Sequence, residues 1–392
     1  MSERASLDDL VRLKRGYDLP SRDRRHGDIP ILGSFGVTGW HDTPKIAGPG
    51  VTVGRSGASI GVATYHDGPC WPLNTALYVQ DFKGNDPRYV YFVLDAINFG
   101  AFNSGAAQPS LNRNYLGSID VWRPSIELQR RVSRALGAFD DLIENNRRRI
   151  AILEEMARLL YREWFVHFRY PGHEDIELAD SELGPVPEGW EIAPTGDVFD
   201  SVGGGTPSKK ESSYWDEGDI DWFTPSDLTK SGAVFMFRST DRINRLGLKK
   251  SSAKLFPAGS VMMTSRATVG EIAIAACEAA TNQGFITCVP NHRVSTEYLY
   301  LWLHSQVGSF LQLAGGATFK ELRKSDFRDY RIALPPETLM RSFDEVALPQ
   351  FDLIANLIQQ NRILRECRDL LLPRLVSGEL DVSELDLEGL LV

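Results

Sequence analysis

The chain has 392 residues, with 43 Lys+Arg against 52 Asp+Glu and a formal net charge of -9. That length supports two or three domains with real cores, and 42% hydrophobic with 24% charged residues excludes wholesale disorder. No apolar run reaches the ~18 residues that a membrane span needs. The opening MSERASLDDLVRLKRG lacks the apolar core of a secretory signal, so a cytoplasmic protein is expected. Cys70, Cys277, Cys288 and Cys367 form no CxxC pair; reduced, buried thiols are expected, and neither a disulfide frame nor a zinc site.

A charge of -9 argues against nucleic acid only if it is spread evenly. It is not. Residues 1–125 carry +1, 126–170 carry +2, 171–185 carry -5, 186–336 carry -1 and 337–392 carry -6. The acid sits in one linker and the C-terminal segment. Two near-neutral blocks remain, with basic clusters at Arg12, Lys14, Arg15, Arg22, Arg24 and Arg25, and at Arg238, Arg242, Arg245, Lys249, Lys250 and Lys254.

In chain order, the first block reads as short apolar strands broken by Gly, Pro, Asn and Asp, then a small helix around Tyr89–Asn98. After Pro124 comes a helical segment with apolar positions at Leu128, Val132, Ala135, Phe139, Leu142, Asn146, Ile150, Leu153, Ala157, Leu160 and Trp164. This is a heptad seam with one four-residue stutter. The acidic linker PGHEDIELADSELGP follows. The plan then repeats. Gly27-Asp28-Ile29 returns as Gly218-Asp219-Ile220, SGASIGVA from Ser56 as SRATVGEIA from Ser265, and Asn74 as Asn282. YVYFVL from Tyr89 returns as YLYLWL from Tyr298, and Leu111, Leu116, Ile119, Val121 and Pro124 as Leu322, Phe327, Tyr330, Ile332 and Pro335. The shared order at a nearly constant offset indicates a tandem duplication. Transferring the seam by 211 residues gives Leu339, Phe343, Val346, Gln350, Leu353, Leu357, Asn361, Leu364, Arg368, Leu371 and Leu375. Gly137 and Pro349 predict a division of each segment, leaving long helices over 138–166 and 350–372. Those helices are expected to pair antiparallel, their polar seam residues fixing register.

No catalytic residue is expected. There is no GxxxxGK[ST] phosphate loop, no NPPY-type tetrapeptide, no glycine-rich cofactor loop and no histidine at metal-ligand spacing. Gly203-Gly204-Gly205-Thr206-Pro207 precedes Ser208-Lys209-Lys210 and not a hydrophobic helix, so it reads as a turn. Asp219 with Asp221, and Glu321 with Lys324, are ordinary polar-loop pairs.

Three stretches carry a family resemblance. RDLLLPRLVSGELDV (Arg368–Val382), LLYREWFVHFRYPGHE (Leu159–Glu174) and EGWEIAPTGDVFDSVGGGTPSKKESSYW (Glu188–Trp215) resemble signature regions of the specificity (S) subunit of type I restriction-modification systems. The first repeat departs from the pattern, with Gly16-Tyr17-Asp18-Leu19-Pro20 where the GGTP turn is expected. The resemblance implies an α+β chain of two tandem, mixed α/β target recognition domains with small twisted sheets. An antiparallel coiled coil of two long helices would separate them about a pseudo-twofold. The boundaries are then 1–124 and 188–335 for the recognition domains, 125–170 and 336–392 for the helical regions, and 171–187 for the acidic linker.

It further implies a non-catalytic, prokaryotic, cytoplasmic subunit that addresses double-stranded DNA. Two methyltransferase (M) subunits would dock on the helices with S-adenosylmethionine. Restriction/motor (R) subunits would bring ATP and Mg, and this chain would bind no cofactor itself. A helical scaffold that binds only proteins stays open as the alternative. Phosphate contacts give affinity and base-edge contacts give sequence. Lys14, Arg15, Arg22, Arg24, Arg25, Lys209, Lys210, Arg242, Arg245, Lys249 and Lys250 are the expected phosphate ligands. Arg55, Arg113, Arg266 and Lys320 are expected nearer the bases, Arg323 and Lys324 in either role, and Asn112 and Gln283 as adenine readers. Arg148, Trp164, Phe165, Phe168, Leu371 and Leu375 are the expected subunit-interface residues.

Overall fold

The computed structural model describes residues 3–102, 111, 115–316 and 320–382. The chain forms two compact units: residues 1–145 with 361–392, and residues 146–360. In unit 1, β1 (Glu3–Ser6) leads into α1 (Leu7–Leu10), closed by a Ser6/Asp9 capping box. Then come β2 (Arg12–Arg15), β3 (Ile29–Gly33), β4 (Gly36–His41), β5 (Gly50–Gly54), β6 (Ala63–His66), β7 (Trp71–Pro72) and β8 (Ala76–Asp81). Helix α2 (Pro87–Ala96) starts with Pro at its first position and Asp86 accepting from the Tyr89 N–H. Strand β9 (Asp120–Arg123) leads into α3 (Ile126–Tyr161).

The remaining elements are β10 (Leu178–Ala179) and β11 (Val186–Pro187), β12 (Glu191–Pro194), α4 (Thr195–Val198), β13 (Asp200–Gly203), β14 (Ile220–Phe223), α5 (Pro225–Ser231), β15 (Phe235–Met236), β16 (Asp241–Ile243) and α6 (Arg245–Lys249). They continue with β17 (Val261–Arg266), β18 (Thr268–Ala275), β19 (Ala279–Thr281), β20 (Phe285–Val289), α7 (Thr296–Leu313), α8 (Lys324–Asp329), β21 (Arg331–Leu334) and α9 (Glu337–Val376).

The duplication holds strand by strand, apart from β15 and the β10-β11 pair, which only unit 2 has. Unit 1 has sheets ordered β2-β8-β5-β6 and β4-β3-β7, plus the pair β1-β9; unit 2 has β13-β20-β17-β18-β15 and β16-β14-β19, plus β12-β21. Strand directions agree as well: β3 is antiparallel to β4 and parallel to β7, as β14 is to β16 and β19. The cores are built alike. In unit 1, Tyr89, Phe92 and Leu94 of α2 pack with Val51, Val53, Val132, Leu136 and Leu375. In unit 2, Tyr298, Leu299 and Trp302 of α7 pack with Val261, Met263, Phe165 and Phe343.

Two expectations about the long helices are corrected. Neither α3 nor α9 divides: α3 runs unbroken through Gly137 and α9 through Pro349, so the predicted bounds of 138–166 and 350–372 were too short at their starts. Gly137 is a notch rather than a break. A Cβ there would lie 2.7 Å from the Arg88 guanidinium carbon, and Arg88 donates to the Gly137 carbonyl at 3.1 Å and to Asp141 at 2.6 Å. At Pro349, Gln350 Nε2 donates to the Val346 carbonyl at 3.1 Å, in the turn the proline loosens. Seam members Val132, Asn146 and Ala157 on α3 and Phe343, Leu357, Asn361 and Leu375 on α9 are buried as counted, but between them the inward face lies one residue on. Leu136 and Ile143 are buried, not Ala135 and Leu142; Ala347 and Ile354 are buried, not Val346 and Leu353.

Within each unit the two helices run antiparallel. In unit 1, Arg368 reaches Asp140 at 2.7 Å and Arg131 reaches the Val382 carbonyl at 2.9 Å. In unit 2, Asn146 faces Gln360 at 3.5 Å. All four cysteines are free; Cys70 and Cys288 are buried as expected, but Cys277 is half-buried and Cys367 lies exposed on α9.

Candidate nucleic-acid interface

In unit 2 the loops at one end of the sheets converge. Gly204 sits so close to the next turn that a Cβ would fall 2.0 Å from the Asn282 carbonyl oxygen and 2.3 Å from that of Thr281. Only glycine fits there. Gly205 is packed equally tightly against Ser252 and Ala253, and its carbonyl accepts the buried Trp222 indole N–H at 2.9 Å. Thr206 then donates to Gln283 Oε1 at 2.6 Å. The Ser265 N–H donates to the Gly284 carbonyl, and the Leu322 N–H to the Ser265 carbonyl. Residues 204–209, 252–253, 265–267, 282–284 and 320–322 therefore form one continuous surface.

Unit 1 builds the same surface from a different sequence. A Cβ on Gly16 would lie 2.2 Å from the Leu73 carbonyl oxygen and 2.7 Å from that of Pro72, which is the Gly204 contact over again. The Tyr17 N–H donates to Pro72 as Gly205 does to Thr281, and the Arg55 and Leu111 N–H groups bond Thr75 and Arg55 as Ser265 and Leu322 bond Gly284 and Ser265. Asn74 Nδ2 donates to Asp18, matching Gln283 with Thr206. The missing GGTP turn is thus replaced by Gly16-Tyr17-Asp18. The sequence pairing also shifts by one: Asn74 corresponds to Gln283, and Arg55, not Ser56, to Ser265.

A family model described as the type I restriction modification DNA specificity domain matches residues 2–155 and again 187–338. The chain belongs to this family. The MjaIX type I restriction enzyme specificity subunit of Methanocaldococcus jannaschii is 34% identical over 205 residues, 52% of this chain and 46% of that one. The HindI specificity subunit of Haemophilus influenzae is 24% identical over 330 residues, 69% of this chain and 71% of that one. The chain thus spans just under half the length of the first of these relatives. In fold it resembles the crystal structure of a type I restriction-modification S subunit from M. genitalium, with a TM-score of 0.62 at 14% identity and 96% of both chains covered.

The two specificity domains hold the predicted basic residues in different states. In the first, Arg15 pairs with Asp18 at 3.2 Å and Arg25 with Asp42 at 3.0 Å, while Arg22 is almost fully exposed, 3.7 Å from Asp23. Arg24 is structural: it donates to the Thr38 carbonyl at 3.1 Å and lies over Gly39. Lys14 faces the Tyr17 ring at 6.0 Å, as does Lys45 at 4.9 Å, a cation that sequence reasoning missed. Arg55 is half-buried at the loop end, its Nε without a hydrogen-bond partner among the described residues. Asn112 and Arg113 lie outside the described residues.

In the second domain, Lys209 pairs with Asp241 at 3.0 Å and sits over Trp215 and Trp222. Arg242 is not a free phosphate ligand. It donates to the Asp219 carbonyl at 2.7 Å and faces Asp221, a buried carboxylate that also takes two hydrogen bonds from Ser239. Nor is Arg266 a free fork. Its Nε and Nη2 both donate to Glu321 Oε1, at 2.9 and 2.6 Å. Gln283 uses its carbonyl on Thr206, which leaves its amide N–H groups for a ligand. Lys210, Arg245, Lys249, Lys250 and Arg323 are exposed with no ion-pair partner among the described residues, and Lys320 reaches only the Leu311 carbonyl at 3.5 Å. Burial, with Arg328 and Lys254 close by, pulls the Lys324 ammonium below its ordinary value. Crowded cations of this kind favour an anion.

The expected subunit-interface residues fall mostly inside. Trp164 and Phe165 are buried in the unit 2 core, with Phe165 4.9 Å from Phe343 and 5.0 Å from Tyr298, ring to ring. Phe168 packs edge-on against Trp190 at 5.2 Å. Leu375 is buried and Leu371 half-buried in unit 1. Arg148 is exposed on α3. Other apolar side chains are exposed: besides Leu142 on α3 and Val346, Leu348 and Leu353 on α9, they include Ile152, Met156 and Leu159 on α3, and Ile363, Cys367 and Leu370 on α9. Each member of the Ile363 triad lies 211 residues after one of the Ile152 triad, so the duplication preserves the same unburied triad, one on each unit. Heptad counting missed these triads because it looks for the seam, and they lie off it.

Among the described residues, no group of His, Cys, Asp and Glu could hold a metal ion, and no helix is long and apolar enough to cross a membrane.

Proposed function

We propose that the chain is the DNA sequence-recognition subunit of a type I restriction-modification complex, each specificity domain reading one half of a bipartite target. The observation that carries this reading is that one loop-end surface is built twice, on matched backbone scaffolds, from unlike side chains. Like scaffolds with unlike loops suit two different half-sites, since base edges are read by side chains and the frame is held by phosphate contacts. Lys210, Arg245, Lys249, Lys250 and Arg323 supply the unpaired positive charge of the second surface. Arg22, Lys14 and Arg55 lie around the first.

Methylation of adenine needs the base out of the stack and in an enzyme pocket. This chain supplies the address, and two methyltransferase subunits bring S-adenosylmethionine; restriction/motor subunits bring ATP and Mg. The triads Ile152/Met156/Leu159 and Ile363/Cys367/Leu370 are the docking positions for the two methyltransferase copies, because equivalent faces on a duplicated chain suit two copies of one partner. The test is to map modified adenines in a host that expresses this chain with its methyltransferase partner. Two short specified halves around a fixed unspecified gap are expected. A continuous motif, or no motif, refutes the reading.

A further inference from the structure

The two specificity domains share most of their strand order, their glycine contact and their turn-to-turn hydrogen bonds, so beyond their unlike side chains a difference between half-sites can also come from where the scaffolds part. They part most at one connection. In the first domain β3 and β4 are joined by Ser34 and Phe35 alone; in the second, the equivalent strands β14 and β16 are separated by α5 and β15. There the insertion is tied down. Thr224 and Asp227 cap α5, Asp227 also accepts from Thr240, and β15 joins the larger sheet beside β18. The first domain has only a bare hairpin, and β4 is the edge of its sheet.

That hairpin is fixed in place. The Ser34 carbonyl lies against Gly54, where a Cβ would come within 2.2 Å of it, and the Thr38 methyl closes on Gly33 in the same way. The Gly54 contact puts the tip next to Arg55 and hence on the loop-end surface. Phe35, at the tip, is 66% exposed, and Val37 and Trp40 continue the apolar strip along β4 at 48% and 56%. An anchored tip that holds a large aromatic ring in water beside a half-buried arginine is unfavourable for an isolated domain.

We propose that Phe35 is a specificity-determining residue of the first half-site, placed by the β3–β4 hairpin against a base-pair edge or step in duplex DNA. A two-stranded ribbon fits the major groove, where an apolar ring discriminates through the thymine methyl group, and apolar wedges also read the ease of unstacking a step. The inference rests on the recognition function proposed above and adds the residue that sets one position of the target.

The assay maps modified adenines in a host that expresses the full chain, as wild type or Phe35→Ala, with its methyltransferase partner. The assembled complex is then titrated on duplexes varied at each position of the first half. Expected is a roughly 10- to 100-fold loss of discrimination at one or two adjacent positions of one half, with the other half and the gap unchanged. Discrimination within twofold of wild type at every position overturns the proposal. So does wild-type self-association that Phe35→Ala abolishes without altering the motif, which would assign the strip to pairing between copies. If Phe35→Ala lowers the yield of complex, Phe35→Leu is read by the same criterion. A wild-type complex with no bipartite motif would sink the recognition function itself, a distinct outcome from an unaltered motif in the variant.

Discussion

Arg368 is the sharpest test of how the polar seam holds unit 1 together. Its Nη1 donates to Asp140 at 2.7 Å, and its Nη2 and Nε donate to Asp369 at 2.8 and 3.0 Å. Only about a fifth of the Arg368 and Asp140 side chains is exposed, whereas Asp369 is mostly in water. Burial pushes the nearby Asp95 carboxyl up, Arg368 pulls it down and Asp140 adds to the rise. Arg368→Met therefore strands three carboxylates, two of them substantially buried. Breaking a fully buried pair costs about 3–5 kcal/mol; with a fifth of this pair wet, ~2–3 kcal/mol is expected. Asp140→Leu alone should cost ~1–2 kcal/mol, since Asp369 still holds the arginine. The double variant, with an apolar pair in the seam, should lie closer to wild type than Arg368→Met does, giving a coupling energy above ~1 kcal/mol.

Hydrogen exchange of the amides in 361–376 reports this unit directly, and ~2–3 kcal/mol corresponds to roughly 30- to 150-fold lower protection. The sign of the pH effect follows from Asp95. With the cation gone, its folded pKa rises further above the unfolded value, so the folded state takes up more protons as pH falls. The deficit should shrink from pH 7 towards the carboxylate range. A deficit under ~0.5 kcal/mol, or a double variant no better than Arg368→Met, refutes the reasoning.

Two further outcomes are expected. Gly204→Ala must push the 281–282 carbonyls away and should cost ~1–3 kcal/mol or more in thermal unfolding. Gly203→Ala, with nothing within 4 Å of its Cβ, should be neutral or slightly stabilising; equal melting temperatures would show that the turn is not close-packed. For the helix triads, Ile152→Asp with Leu159→Asp should leave a complex with one methyltransferase copy by native mass spectrometry, and Ile363→Asp with Leu370→Asp likewise. Two copies retained in both variants would place docking elsewhere.

The duplication, the α+β class, the paired helices and the lack of catalytic motifs were all legible in the linear chain. Strands and helices of repeated modules keep their apolar spacing even when identities drift, as YVYFVL and YLYLWL do. Three things were not. Part of the helix faces was set by packing in the folded unit, where Leu136 and Ile143 are buried in place of Ala135 and Leu142 while Val132, Asn146 and Ala157 keep the counted seam. The equivalence of Gly16-Tyr17-Asp18 with Gly204-Gly205-Thr206 is a backbone contact that two unlike sequences satisfy with one shared glycine, so comparing letters could not find it. The fate of several cations was set by partners far away in sequence, Arg266 by Glu321 and Arg368 by Asp140.

Charge divides the same way. Where the acid lies, in the linker and the C-terminal segment, is a property of the sequence. Which lysines and arginines remain unpaired to meet a phosphate is decided only by the fold, because ion pairing depends on distance in space and the chain order does not encode it.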